Sequence, residues 1–194
     1  MRESDIEIIL QKHMHQHDSE IGETEGRGAL NFLDLDDRVV SNEGQEVDPG
    51  SVYRFDSNLN LPILPQPGNE GFDEFLEVLK ANDKKWRIVT DQEDSPKLLL
   101  EAESYLCDLF SGRSDLDVYH YCHRPIVVTE AEVTLDEVIE QLEVHPEHRN
   151  DYVVDNDVIL YWNGDARRII TGADILGQLL KGIVQRKKAD TLPS

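Results

Sequence analysis

Two stretches of this 194-residue chain carry the same order of elements, and that repetition limits the folds open to it more than any other feature. In the first stretch, residues 58–64 read as a strand that stops at Pro65. Residues 72–81 read as a helix, because Phe72, Phe75, Leu76 and Leu79 recur at helical spacing on one face. Residues 86–90 and 97–100 read as strands. Residues 102–110 read as a second helix, with Tyr105, Leu106, Leu109 and Phe110 apolar. In the second stretch, residues 125–129 read as a strand. Thr134 caps a helix, with Glu137 at the reciprocal position and Leu135, Val138, Ile139 and Leu142 at helical spacing. Residues 152–154 and 158–161 read as strand on either side of an Asp-Asn-Asp turn. Residues 168–170 read as a strand running into a helix that carries Ile175, Leu176, Leu179, Leu180 and Ile183.

The two stretches can be laid over each other. The offset from Phe72 to Leu135 is 63 residues and that from Leu100 to Ile170 is 70. The difference falls in the loop around His145–Asn150, where insertions are tolerated. This spacing exceeds that of solenoid repeats and marks a duplicated module. One βαββα copy alone is too small to bury its sheet well, whereas two copies packed sheet to sheet share one core. The cleft between them is then the natural ligand site.

Ahead of the first copy, residues 4–14 read as a short helix. Ser4 and Glu7 have capping-box spacing, and Ile6, Ile9 and Leu10 make an apolar face. Residues 15–28, polar with three glycines, read as loop, and the type of the apolar segment 29–35 is open. Residues 41–51 form a polar linker with an Asp-Pro-Gly turn. The expected organisation is a helical arm and linker over 1–51, a first unit over 52–124, a second over 125–186 and a tail over 187–194. The expected fold is α/β, with two βαββα units as a pseudo-twofold pair.

Composition narrows the function. Lys and Arg number 19 against 40 Asp and Glu, for a net charge of −21. That argues against nucleic acid, whose phosphates are bound mainly by Lys and Arg, and against docking on anionic lipid. No apolar run approaches a membrane span and none forms a signal-peptide core, so a cytoplasmic location is expected, without direct membrane insertion. Cys107 and Cys122 lack a Cys-x-x-Cys partner and suggest a reducing compartment. Cys107 sits in an apolar helical pattern and reads as core.

The order of elements, with the corner Arg168-Ile-Ile-Thr-Gly-Ala-Asp-Ile-Leu176 before the last helix, resembles the CBS (cystathionine β-synthase) domain. The segment from Pro125 to Val138 looks like the opening strand and helix of the same unit. More narrowly, the chain resembles the cytosolic region of the hemolysin-like magnesium and cobalt efflux family, of the CorC and CNNM type. The segment from Glu20 to Val39 looks like the helical connection between that family's membrane domain and its CBS pair. The resemblance implies a regulatory module linked to divalent-cation transport, a homodimer, and a membrane transport domain as partner. It implies AMP or ATP, with or without Mg²⁺, as ligand. The family's phosphate-side Thr and ribose-side Asp fall on Thr171 and Asp174, with Arg168 and Thr129 as further nucleotide-binding candidates. In the first copy the same alignment places Glu101 and Ser104 there, and a carboxylate at the phosphate position would repel the ligand.

Other readings stand beside these. A Thr-x-x-Asp corner is also a capping pair, and an exposed helix N-terminus suits a side chain as well as a phosphate. Without a ligand the pair would be a structural or dimerisation module, using faces of the helices at 102–110 and 174–184. His13, His15 and His17 alternate, but lie in a polar stretch that favours solvation. His120 and His123 beside Cys122, and His145 with His148, lack a zinc-finger partner set. Asp34, Asp36 and Asp37 lack the Gly and terminal Glu of an EF-hand loop. No nucleophile elbow, Walker loop or dinucleotide fingerprint occurs, so a non-enzymatic role is expected, with no metal site.

Overall fold

The structure is a computed structural model that describes residues 3–14, 22–59, 61–113, 115–142, 154–164 and 166–184. Two helices open the chain, α1 (Glu3–Met14) and α2 (Glu23–Leu33), and pack on each other. The glycine-rich stretch therefore does not remain loop: Gly26 and Gly28 lie inside α2. Gly26 is buried, and a Cβ on Gly28 would stand 3.7 Å from the Ile183 side chain. Close helix packing outweighs the low helix propensity of glycine there.

Beyond the arm come β1 (Gln45–Glu46), β2 (Val52–Arg54), the hairpin β3 (Ser57–Asn58) and β4 (Leu61–Pro62), α3 (Phe72–Lys80), β5 (Trp86–Thr90), β6 (Pro96–Glu101) and α4 (Ala102–Phe110). Then follow β7 (Cys122–Val128), α5 (Leu135–Ile139), β8 (Val154–Asn163), β9 (Ala166–Thr171) and α6 (Gly172–Leu179). With the β3–β4 hairpin of the first half set aside, each half has the order strand, helix, strand, strand, helix. β2 lies parallel to β5, and β5 antiparallel to β6; likewise β7 lies parallel to β8, and β8 antiparallel to β9. A parallel pair needs a crossover, and α3 and α5 supply it. β6 and β7 join the halves at Leu99↔His123 and Leu100↔Cys122, giving one curled sheet in the order β1-β9-β8-β7-β6-β5-β2.

Three expectations shift. The opening strand is Val52–Arg54, not 58–64, where a short hairpin instead pairs Asn58 with Leu61 and Ser57 with Pro62, with Leu59 at φ +49°. A three-residue strand shows no period, so its apolar neighbours take the signal. The Asp-Asn-Asp run is not a turn but part of β8, with Arg124 paired to Asp155; residues 152–153 lie outside the described residues. Cys107 is exposed, because the buried positions of α4 are Ala102 and Tyr105 and residue 107 points away from both.

Three apolar layers result. In the first half, Val89, Leu98 and Leu100 face Phe75, Leu79 and Tyr105 of the helices. In the second, Ile159, Tyr161 and Ile170 face Leu135, Val138 and Ile175, and the arm adds Leu35 and Val40 to this core. Burying each of those two arm residues contributes roughly 1.5–3 kcal/mol. Between the halves, Ile88 and Leu99 meet Val158, Leu160 and Trp162. Alternate residues of β5, β6 and β8 therefore serve different layers. This is why residues 158–162 form an unbroken apolar run.

Candidate functional site

The polypeptide turns from β9 directly into α6 at Thr171. Thr171 is the N-cap of α6, with extended backbone (φ −104°, ψ 164°), and Asp174 stands three residues on. Asp174 Oδ2 accepts from the Thr171 amide at 2.9 Å and from its hydroxyl at 2.7 Å. Buried Ile170 and Ile175 anchor both sides of the corner. The expected pair is thus brought together and satisfies itself as a cap.

The corner opens into a cleft of about 470 Å³ between the halves. Its apolar floor is Ile88, Val158 and Ile169, and Lys84, Lys85 and Trp86 enter from the first half. Trp86 meets His123 edge to face at 4.9 Å, and Lys85 Nζ stands 4.9 Å from the centre of the Trp86 ring. His123 Nδ1 is 2.9 Å from both carboxylate oxygens of Asp157. The volume is within the usual range for a small-molecule site, and the lining combines apolar and polar groups as such sites do.

The other two expected binding residues do not line this cleft. Arg168 donates from Nε to Glu43 O at 2.7 Å and from Nη2 to Gly44 O at 2.9 Å, pinning β1 against β9. Gly44 has φ +70°, and a Cβ there would sit 2.2 Å from Ile169 O, so only glycine fits. Thr129 is exposed at the end of β7. Its neighbour Val128 pairs with Tyr161, three residues further along β8 than Val158, the partner of Thr171. That separation is roughly 10 Å at about 3.3 Å per residue. Arg167 stacks on Trp162 at 4.1 Å and pairs with Asp94. Lysines of the first half, not the arginines of β9, face the corner. Two lysines ahead of a strand tryptophan are a faint sequence signal, and only the folded sheet brings them to Thr171.

The matching corner of the first half is different. Glu101 caps α4 without a side-chain cap bond and reaches Lys85 Nζ at 2.8 Å. The groups with strongly raised pKa lie in the core of that half: burial pushes the Cys122 thiol and the Tyr105 hydroxyl up to about 12. Burial and the hydrogen bond to Asp108 do the same for Tyr121. These groups do not meet in the cleft.

Among the described residues, no group of three or more His, Cys, Asp or Glu gathers to hold a metal ion. His15, His17, His145 and His148 lie outside the described residues, as do the side chains of Ser4 and Glu7. A second cavity, of about 920 Å³, lies between α6 and the 38–44 segment of the arm. No described helix is long and apolar enough to cross a membrane.

No known family profile matches the sequence, and no curated protein does. Solved structures match the fold. The CBS domain of the bacterial CNNM/CorC family Mg²⁺ transporter, in complex with the inhibitor IGN95a, aligns with a TM-score of 0.55 and 14% identity. That alignment covers 95% of this chain and 100% of the other. A second structure of that CBS domain aligns with a TM-score of 0.54 and 13% identity, over 95% and 99%. This chain therefore has the fold of those CBS domains, arm included.

Proposed function

We propose that this chain, a CBS pair by fold, is a regulatory module that binds an adenine nucleotide in the cleft at Thr171 and Asp174. One observation carries the reading: the capping corner of one half and the Lys85–Trp86 edge of the other converge on a single apolar-floored cavity. Trp86 and the floor suit a purine face. Asp174 holds Thr171 through Oδ2, and its second oxygen suits a ribose hydroxyl. The role is binding, not turnover. Ligand in the cleft favours one arrangement of the halves over another and so shifts a population. The regulated process is divalent-cation (Mg or Co) transport, a link supported by the likeness in fold to the CNNM/CorC domains.

Thermal-shift titration with AMP, ADP and ATP tests the reading. A ligand at a hundred times its dissociation constant stabilises the fold by about 2.7 kcal/mol. The expected result is a clear rise in melting temperature that Asp174→Ala, still folded by circular dichroism, reduces or abolishes. An unchanged shift in that variant removes the site.

A second reading has its own support. Phe110 on α4, and Leu176 and Val184 on and beyond α6, are 63%, 54% and 59% exposed. A contact between two copies through these faces makes the chain a dimerisation module without a small ligand. A dimer in sedimentation, combined with no response to any nucleotide, favours it.

A further inference from the structure

The charges around the cleft do not match a polyphosphate. Four carboxylates line it: Glu46, Asp48, Asp157 and Asp174. Two ammonium groups face them, Lys84 and Lys85, and Glu101 already neutralises Lys85 at 2.8 Å. Three of the four carboxylates are held in place. Asp48 Oδ1 accepts from the Gly50 amide at 2.8 Å, Asp157 is paired with His123, and Asp174 is tied to Thr171. A carboxylate in the first turn of α6 also satisfies the positive end of the helix dipole, which would otherwise attract a phosphate. The rest of the lining carries no formal charge: Gln45, Ser51 and Thr171 are polar but neutral, and the others are apolar, aromatic or glycine.

Resting on the adenine site proposed above, we infer that the cleft selects the nucleoside end of its ligand and discriminates against phosphate charge. Asp157 and Asp48 are the specificity-determining residues. Among adenine ligands free of divalent cation, affinity falls in the order adenosine, AMP, ADP, ATP. Each phosphate adds negative charge near fixed carboxylates inside a partly enclosed space, where screening is weaker than in open water.

The test is a calorimetric series with these four ligands on the full chain, in EDTA at constant ionic strength. It is run at one pH throughout, so that the four ligands and both variants are compared in the same buffer. The expected result is a loss of about threefold or more in affinity from adenosine to AMP and at each later step, from Coulomb repulsion. Asp157→Asn keeps the shape and a hydrogen-bonding group beside His123 and narrows the adenosine-to-ATP ratio by at least about threefold, by the same term. Asp48→Asn, on a different element, does the same if the first variant fails to fold. Equal or rising affinity from adenosine to ATP overturns the inference. A falling series that neither variant alters overturns the assignment to Asp157 and Asp48. Failure of all four ligands, adenosine included, instead overturns the adenine site itself, and the inference goes with it.

Discussion

The two strand-to-helix corners of this chain share a backbone design and differ in chemistry. Glu101 and Thr171 occupy the same N-cap position, at the end of the last strand of each half, and Ser104 and Asp174 the same position three residues on. At the second corner the pair closes on itself, with Asp174 taking both the amide and the hydroxyl of Thr171. At the first, Glu101 turns away from its helix to Lys85, whose side chain also lies over Trp86. The first corner thus contributes a strand edge and a balanced cation to the cleft, while the second contributes the helix end. The two halves offer equivalent backbone frames, and their side chains give one a self-closed cap and the other an ion pair.

That comparison holds only if the halves form one cooperative fold. The sharpest challenge is Leu160→Ala, which empties a fully buried position between them. The expected cost is about 2–5 kcal/mol, with a single unfolding transition in calorimetry. Two separated transitions would mean that the halves fold independently and that the cleft is not a fixed feature.

A smaller effect distinguishes the corners directly. Asp174→Ala removes a cap partner and should lower stability by about 1 kcal/mol, whereas Ser104→Ala should stay within about 0.5 kcal/mol. Urea denaturation of both variants checks this, and equal losses would erase the distinction. The smallest effect belongs to Lys85→Ala. Its pair with Glu101 leaves Lys85 54% exposed, so stability should fall by less than about 1 kcal/mol. A larger loss in the same denaturation series would show the pair to be structural.

How far these features were legible in the sequence depends on range. Thr171 and Asp174 lie three residues apart on one turn, so the local pattern announces them. The helices at 72–80 and 102–110 and the strand at 86–90 were legible for the same reason: their periodicity is local and uninterrupted. Helix α2 was hidden because Gly26 and Gly28 lower its local propensity, and only contact with the far end of the chain compensates. Residues 58–64 misled because apolar composition is not pairing, whereas Val52–Arg54 is strand through its neighbour Ile88. Lys85, Trp86 and Asp157 could not be read as neighbours of Thr171, since three different strands bring them together. Arg168 shows the converse. It is adjacent to the corner in sequence, yet strand alternation and the Glu43 and Gly44 carbonyls turn it away.

The most direct test of the central claim, that one corner and not both is a ligand corner, is the stoichiometry of AMP binding by calorimetry. The account predicts one AMP per chain, with binding retained in Glu101→Ala and lost or sharply weakened in folded Asp174→Ala. Two AMP per chain, or an isotherm that Asp174→Ala leaves unchanged, would contradict it.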